Sequence, residues 1–346
     1  MLVSKKNKTA IVLLNLGGPD KISEVKQFLF NLFYDKYIIQ LSNPWRFLLA
    51  KAISLIRNKS SQKLYEKIGG KSPILPQTIL QSEALRATLK NKLLHPYEVF
   101  VAMRHWSPMI NEVVLQIKEY QPEKVILLPL YPQFSISTTL SAIEEFKNSL
   151  LRNNFDLLVK TVCCYPVNTA LVDGYSNIIK SYTNNFSNSI LLFSAHGLPK
   201  KFITQGDPYQ WQIEISVQSI VKKLNVEGLN WKISYQSKIG PLEWLKPDTK
   251  SEIIYAAKNK KNIIIVPISF VSEHVETLVE LDIEYSDIAK NYGVSYCRIK
   301  TLGVDSFFID GLADLTLKAI DSNNDVISGS CGRICPQKFI QCIHKN

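Results

Sequence analysis

Two α/β domains of the same design are what this chain of 346 residues predicts. Three observations carry that reading. An apolar run ending in glycine and proline occurs twice, as TAIVLLNLGGP at 9–19 and SILLFSAHGLP at 189–199. A second signature follows each of them, an aliphatic run broken by proline ahead of a helical pattern: KVILLPLYPQFS at 124–135 and NIIIVPISFVSEH at 262–274. Between these landmarks strand and helix patterns alternate, which is how parallel α/β sheets are written.

The first apolar run reads as a buried strand leaving into the tight turn Gly17–Gly18–Pro19. Next come FLFNLFYDKYIIQ and PWRFLLAKAISLI, both greasy and the second basic. The spacing from Pro19 to Pro129 exceeds that from Pro199 to Pro267 by about 40 residues, so the stretch 28–70 reads as an insertion, a lip over a cleft. Helical spacing is expected over 75–93, 108–119, 138–152, 169–182, 209–224, 249–259 and 305–320. Strands are expected at 97–103, 157–162, 231–236 and 294–299. Ser and Thr at the start of 138–152 offer an N-terminal cap. The tail from Asp321 is polar and then cysteine-bearing. The expected domains are 1–165 together with 305–346, and 166–304, the latter carrying the candidate metal site.

Composition narrows the function classes. Hydrophobic content of 46% and charged content of 21% belong to a soluble globular protein. No apolar run reaches the ~18 residues a membrane span needs, and MLVSKKNKTA lacks a signal peptide's apolar core, so the cytoplasm is the expected location. Six cysteines without a secretion signal argue against a disulfide framework. The formal net charge is +11, and residues 1–70 hold twelve Lys/Arg against four Asp/Glu. A basic stretch rich in apolar and aromatic residues suits an anionic membrane surface, at the inner face for a cytoplasmic protein, or a greasy ligand. Nucleic acid is disfavoured, since no nucleic-acid module is present and the basic residues are not interleaved with stacking aromatics. The phosphate-binding and hydrolase signatures GxGxxG, GxxxxGK[ST] and GxSxG are missing as well.

Chemistry concentrates after the strand 263–266. Treated as an α-helix, the segment that follows places Glu273, Glu276, Glu280, Glu284 and Asp287 within about 80° of one another. Like charges four apart destabilise a helix, so such a stripe is either a solvated outer face or a track for a cation or protons. It starts where open α/β sheets keep their ligand crevices, beside His274. His196 occupies the matching exit of the other long strand of this half. A neutral imidazole facing a carboxylate can take a proton near neutral pH or hold a metal of middling softness. Arg57 and Arg104 in the first half offer forks for a carboxylate-bearing ligand.

Several segments resemble the signature segments of ferrochelatases, enzymes that insert Fe2+ into protoporphyrin IX. They are LLNLGGPD (13–20), YEKIGGKSPI (65–74), YPQFSISTT (131–139), FSAHGLP (193–199), QSKIGPLEWL (236–245) and FVSEHVETLVELDIEY (270–285). The resemblance runs from about residue 9 to 320. It implies a class II chelatase-like fold: two similar Rossmann-like domains, each a four-stranded parallel sheet flanked by helices, with the pocket between them. It implies an iron site at His196 and Glu276, an acidic path through His274 and Glu280 with Glu284 behind, and arginines near the porphyrin carboxylates at Arg57 and Arg104. Leu16, Trp244, Phe270 and Tyr65 fall among substrate-binding positions. A porphyrin's inner N–H groups are too weakly acidic to ionise unaided, so a base and a desolvated Fe2+ have to be supplied. The rivals are a chelatase taking coproporphyrin or inserting cobalt, and a tetrapyrrole carrier without catalysis; retention of both His196 and Glu276 favours catalysis.

The tail carries Cys331, Cys335 and Cys342, one thiolate short of a [2Fe–2S] site. Some ferrochelatases hold such a cluster. The interior ligand of the animal enzymes falls here on Gly174, while certain bacterial members draw theirs from a strand near Cys163 and Cys164. The alternative is a tail with thiols and no cluster.

Overall fold

The computed structural model describes residues 8–182 and 186–345. MLVSKKN, most of the N-terminus read above for a signal peptide, lies outside the described residues. The chain divides into two compact units. The first runs through Tyr165 and takes in Ile309–Ile334 and the residues from Ile343; the second comprises Pro166–Phe308 and Cys335–Cys342.

In the first unit β1 (Thr9–Asn15) is buried along its whole length, as expected for a central parallel strand covered on both faces. The stretch that follows folds as α1 (Val25–Phe33) and the long α2 (Asn43–Glu66), and α3 (Ile74–Leu89) leads into β2 (Tyr97–Met103). Then come α4 (Ile110–Tyr120) and β3 (Lys124–Pro129). A π-helical turn, Ile136–Leu140, runs directly into α5 (Ser141–Arg152), and β4 (Leu158–Cys164) follows. The side-chain cap here is Ser135, whose hydroxyl accepts from the Ser137 amide, upstream of the helix start expected from sequence. Ala10, Val12 and Leu14 of β1 pack with Val113, Val114 and Ile117 of α4 and with Ile143 and Phe146 of α5 in one core.

The second unit repeats the plan. It contains α6 (Thr169–Tyr182), β5 (Ser189–His196), the short α7 (Lys200–Thr204), α8 (Tyr209–Leu224) and β6 (Trp231–Gln236). It continues with α9 (Thr249–Lys258), β7 (Asn262–Pro267), a ten-residue π-helix at Glu276–Tyr285, α10 (Ser286–Asn291) and β8 (Tyr296–Arg298). Finally α11 (Ser306–Asp321) returns the chain to the first unit, where β9 (Val326–Ser328) ends the regular structure.

The sheets run in the orders β2-β1-β3-β4-β9 and β6-β5-β7-β8, and every pairing is parallel. Four strands in each sheet was the expectation; the first has five. The extra strand is three residues of a polar tail laid against β4, with Thr161 opposite Val326, too short to leave a period-2 signal. In both sheets the chain reverses its direction of travel, between β1 and β3 in the first and between β5 and β7 in the second, and such switch points are where open α/β sheets place their ligand crevices, beyond the carboxyl ends of the strands.

Candidate functional site

His196 is the last residue of β5, and Glu276 opens the π-helix that follows β7, the neighbouring strand. The switch point of the second sheet thus brings them together: Nδ1 of His196 lies 3.1 Å from Oε2 of Glu276, with side chains 31% and 30% exposed. A carboxylate only accepts, so Nδ1 is the donor, and in the neutral ring the other nitrogen, Nε2, keeps its lone pair. Burial opposes a charged ring, but the Glu276 carboxylate outweighs it, and the His196 pKa is raised above its ordinary 6.5.

The backbone of His196 is fixed on both sides. Its N–H donates to Ser269 Oγ at 2.9 Å, and its carbonyl accepts from Tyr209 O–H at 2.9 Å. The next residue has to be glycine. A Cβ at Gly197 would stand 2.7 Å from the Gln236 carbonyl and 3.1 Å from the Trp244 ring, and the first of these is backbone that cannot give way. Trp244 is therefore laid against the exit of β5, while Phe270 meets the His196 ring edge-on at 6.2 Å and the His274 ring at 4.6 Å.

His274 is buried. Its Nδ1 accepts from the Glu276 amide at 3.2 Å, which places the ring proton on Nε2, 3.9 Å from Glu276 Oε2. Burial, with the neighbouring His196, lowers its pKa despite the surrounding carboxylates. His274 thus stays neutral and turns an N–H, not a lone pair, toward Glu276.

The segment is π-helical from Glu276 to Tyr285 where an α-helix was assumed, and the carboxylates of the stripe take different partners. Glu273 turns to Arg298, the Thr301 amide and the Thr277 hydroxyl. Glu280 is taken by four donors, Gln236 Nε2 at 3.1 Å, the Ser237 amide at 2.9 Å, the Ser237 hydroxyl and Tyr285 O–H at 2.6 Å. Glu284 and Asp287 are exposed. Only Glu276 of the five meets His196. Gln236, buried and donating also to the Glu276 carbonyl at 3.3 Å, was not singled out from sequence, nor were Ser269 and Tyr209. Gln236 lies in a recognisable motif, but its bond to the π-helix joins residues 40 positions apart and leaves no local trace.

Leu16, Arg57, Tyr65 and Arg104 belong to the first unit. Leu16 follows β1 and is partly exposed, and its carbonyl accepts from the His105 amide at 2.9 Å. Arg57 lies over the Phe33 ring at 5.9 Å. Tyr65 is 4% exposed, a core side chain. Arg104, at the exit of β2, reaches Asp35 Oδ2 with Nη2 at 3.0 Å and Ser141 Oγ with Nε at 2.7 Å. Asp35 is not among the residues expected from sequence, although an acid set among the apolar and aromatic residues of 28–41 is a signal. His105 beside it is buried and neutral, its pKa well below 6.5 through burial and then Arg104.

The candidate cysteines fall in both units. Cys331 is exposed in a left-handed backbone conformation (φ 67°) and belongs to the first unit, as do buried Cys163 and Cys164, whose sulfurs are 3.6 Å apart. Cys335 and Cys342 are buried in the second unit, and Cys335 Sγ accepts from Gln212 Nε2 at 3.1 Å. Among the described residues no three His, Cys, Asp or Glu side chains form a group that could hold a metal ion.

The Ferrochelatase family model matches residues 8–320. A ferrochelatase of Rickettsia bellii (strain OSU 85-389) is 52% identical over 341 residues, covering 98% of this chain and 95% of its own. One of Pelagibacter ubique (strain HTCC1062) is 46% identical over 337 residues, covering 97% of this chain and 98% of its own. Among solved structures, SirB from Bacillus subtilis with Fe3+ is similar in fold, with a TM-score of 0.53 at 11% identity, covering 91% of this chain and 96% of that one.

Proposed function

This chain belongs to the ferrochelatase family, and from that premise we propose that it inserts Fe2+ into protoporphyrin IX to give protohaem, a lyase of haem biosynthesis. Iron enters as substrate and stays ferrous. Two pyrrole N–H protons leave for each ion inserted, so the protein has to accept protons rather than electrons.

The His196–Glu276 contact carries the assignment of roles. With Nδ1–H given to Glu276, Nε2 is the nitrogen for a pyrrole proton, and the carboxylate stabilises the imidazolium that results. The same imidazole and carboxylate suit Fe2+ as it sheds water, a metal that accepts both ligand types. His274, neutral and with its N–H toward Glu276, steadies that carboxylate. Glu280 holds the β6 exit and the π-helix together, and four donors on its two oxygens leave it poorly suited to carrying protons. In the second unit Trp244 and Phe270 offer apolar surface beside His196 for the macrocycle; in the first, Leu16 offers apolar surface, and Arg57 and Arg104 offer cations for porphyrin carboxylates.

The test is anaerobic incubation of Fe2+ or Zn2+ with protoporphyrin, followed by the fall of free-base fluorescence. Turnover by the wild-type protein and its loss in His196→Ala supports the reading. Equal behaviour of the two proteins at catalytic concentration sinks it.

A [2Fe–2S] cluster on the tail resemblance has no assembled donor set here, since no three candidate ligands come together among the described residues. No step runs through it.

Peripheral membrane contact, at the inner face for a cytoplasmic protein, belongs to the same reading. No helix among the described residues is long and apolar enough to cross a membrane. Instead α2 exposes Trp45 (67%), Leu48 (55%), Leu55 (51%) and Ile56 (78%), with Lys51 and Lys59 exposed on the same helix. Apolar anchors flanked by cations suit an anionic bilayer surface, from which an apolar substrate can be drawn.

A further inference from the structure

The greasy stretch of the first unit buries one carboxylate completely. Asp35 lies between α1 and α2, and its side chain is 0% exposed. Each oxygen is spoken for. Oδ1 accepts from the Tyr37 amide at 2.9 Å, and Oδ2 accepts from the Ser141 hydroxyl and from Arg104 Nη2 at 3.0 Å. Ser141 in turn accepts from Arg104 Nε at 2.7 Å. Three side chains from the α1–α2 link, the β2 exit and the start of α5 therefore close a ring of charge-assisted bonds.

The ring determines what Arg104 can offer. A guanidinium has five N–H groups on a rigid plane. The ring uses Nε–H and one Nη2–H, which lie along a single edge. The two Nη1–H groups and the second Nη2–H remain outside it, and Nη1 with Nη2 forms the edge that takes a carboxylate with two parallel bonds. Arg104 is 18% exposed, so part of it is open. A buried Asp35 cannot release its counter-charge without a large penalty, which holds the open edge in one orientation. The second unit uses the same places differently: there the β6 exit, Gln236 and Ser237, grips Glu280 of the π-helix.

We propose that Asp35, acting with Ser141, is a positioning residue that fixes Arg104 so that its open edge receives one carboxylate of the porphyrin. The proposal rests on the reading above that Arg104 meets a substrate carboxylate. Because the Asp35–Arg104 couple is neutral overall, the selection it makes depends on two-bond geometry and not on long-range attraction.

The experiment compares protoporphyrin with its dimethyl ester, both dispersed in detergent, in full-length wild type, Asp35→Asn, Ser141→Ala and Arg104→Ala. Asp35→Asn keeps the shape but frees the guanidinium; KM for the diacid is expected to rise about tenfold or more, the scale of one charge-assisted hydrogen bond. KM for the diester and kcat are expected to change little. Ser141→Ala, which leaves the charge pair in place, gives a smaller rise with the same selectivity and carries the test if Asp35→Asn does not fold. Equal rises for diacid and diester would make Asp35 merely structural and overturn the proposal. If Arg104→Ala raises the diacid KM while Asp35→Asn and Ser141→Ala do not, the proposal fails and the reading of Arg104 stands. If Arg104→Ala also leaves that KM unchanged, both fail.

Discussion

His196 and Glu276, 80 residues apart in the chain, share a hydrogen bond of 3.1 Å at the switch point of a parallel sheet. Neither strand alone positions the pair. The β5 exit is pinned by Ser269 and Tyr209, and the π-helix by Gln236, so the imidazole and carboxylate meet through their scaffolding as well as their own attraction.

Replacing His196 by Ala is expected to lower kcat by about 10²-fold or more, the usual share of a general base. Added imidazole should restore part of the rate in a concentration-dependent way. Thermal unfolding should move little, because the ring is one-third exposed. Steady-state fluorescence assays with and without imidazole decide the matter.

Glu276→Gln keeps a hydrogen-bond acceptor beside Nδ1 and removes the charge. His196 is held above 6.5 chiefly by that charge acting against burial, so its titration should move to lower pH in the variant, below the wild-type value. The stability its protonation contributes in the wild type is fully present below 6.5 and is lost as pH rises through the higher folded value. The acid limb of the pH–rate profile should shift down in the variant, with a lower plateau because the imidazolium loses its partner. NMR titration of the His196 ring in both proteins measures the shift; an unmoved pKa refutes the electrostatic account.

Arg298 is nearly buried, 9% exposed, and holds Glu273 and Asp282 at once. Arg298→Ala leaves two carboxylates without their cation and is expected to cost about 3–5 kcal/mol. Burial alone would raise the Glu273 pKa, but Arg298 outweighs it and brings it below 4.5. This contribution is therefore present above 4.5 and lost as pH falls through the lower folded value. Melting temperatures from pH 7 to pH 3 should converge between wild type and variant as the pH drops. A constant difference contradicts the assignment.

Gly197→Ala introduces a methyl group 2.7 Å from a backbone carbonyl. The β5 and β6 exits are expected to separate, moving His196 and lowering kcat at least about tenfold even where the protein stays folded. Wild-type kcat with an unchanged melting temperature would show that the exit has room.

Ile56→Asp and Trp45→Ala should weaken sedimentation with vesicles containing anionic lipid while leaving turnover of detergent-dispersed porphyrin intact. Added salt should weaken the wild-type association as well, since screening reaches exposed charges. Co-sedimentation of the three proteins at two ionic strengths tests the assignment of α2.

Much of the fold was legible because it is written in local periods. The strand 263–266 and the helices 169–182 and 209–224 follow from apolar spacing, and two signatures recurring in order announced two similar sheets. The segments around His196 and Glu276 were equally legible as motifs. The first-sheet strand Val326–Ser328 was not, since three residues carry no period and the strand exists only because β4 offers an open edge.

What the sequence by itself determined is the class of fold, the family and the two residues around which the proposed chemistry is arranged, since strand periods, turn glycines and signature segments are local properties of the chain. Tertiary structure alone decided the contact through which Glu276 meets the imidazole, the partners that Glu273 and Glu280 take instead, and that Asp35 holds Arg104. Those outcomes depend on bonds between residues 80 and 106 positions apart, and hydrogen bonding across such distances is chosen by the packed whole, not by the neighbours of either residue.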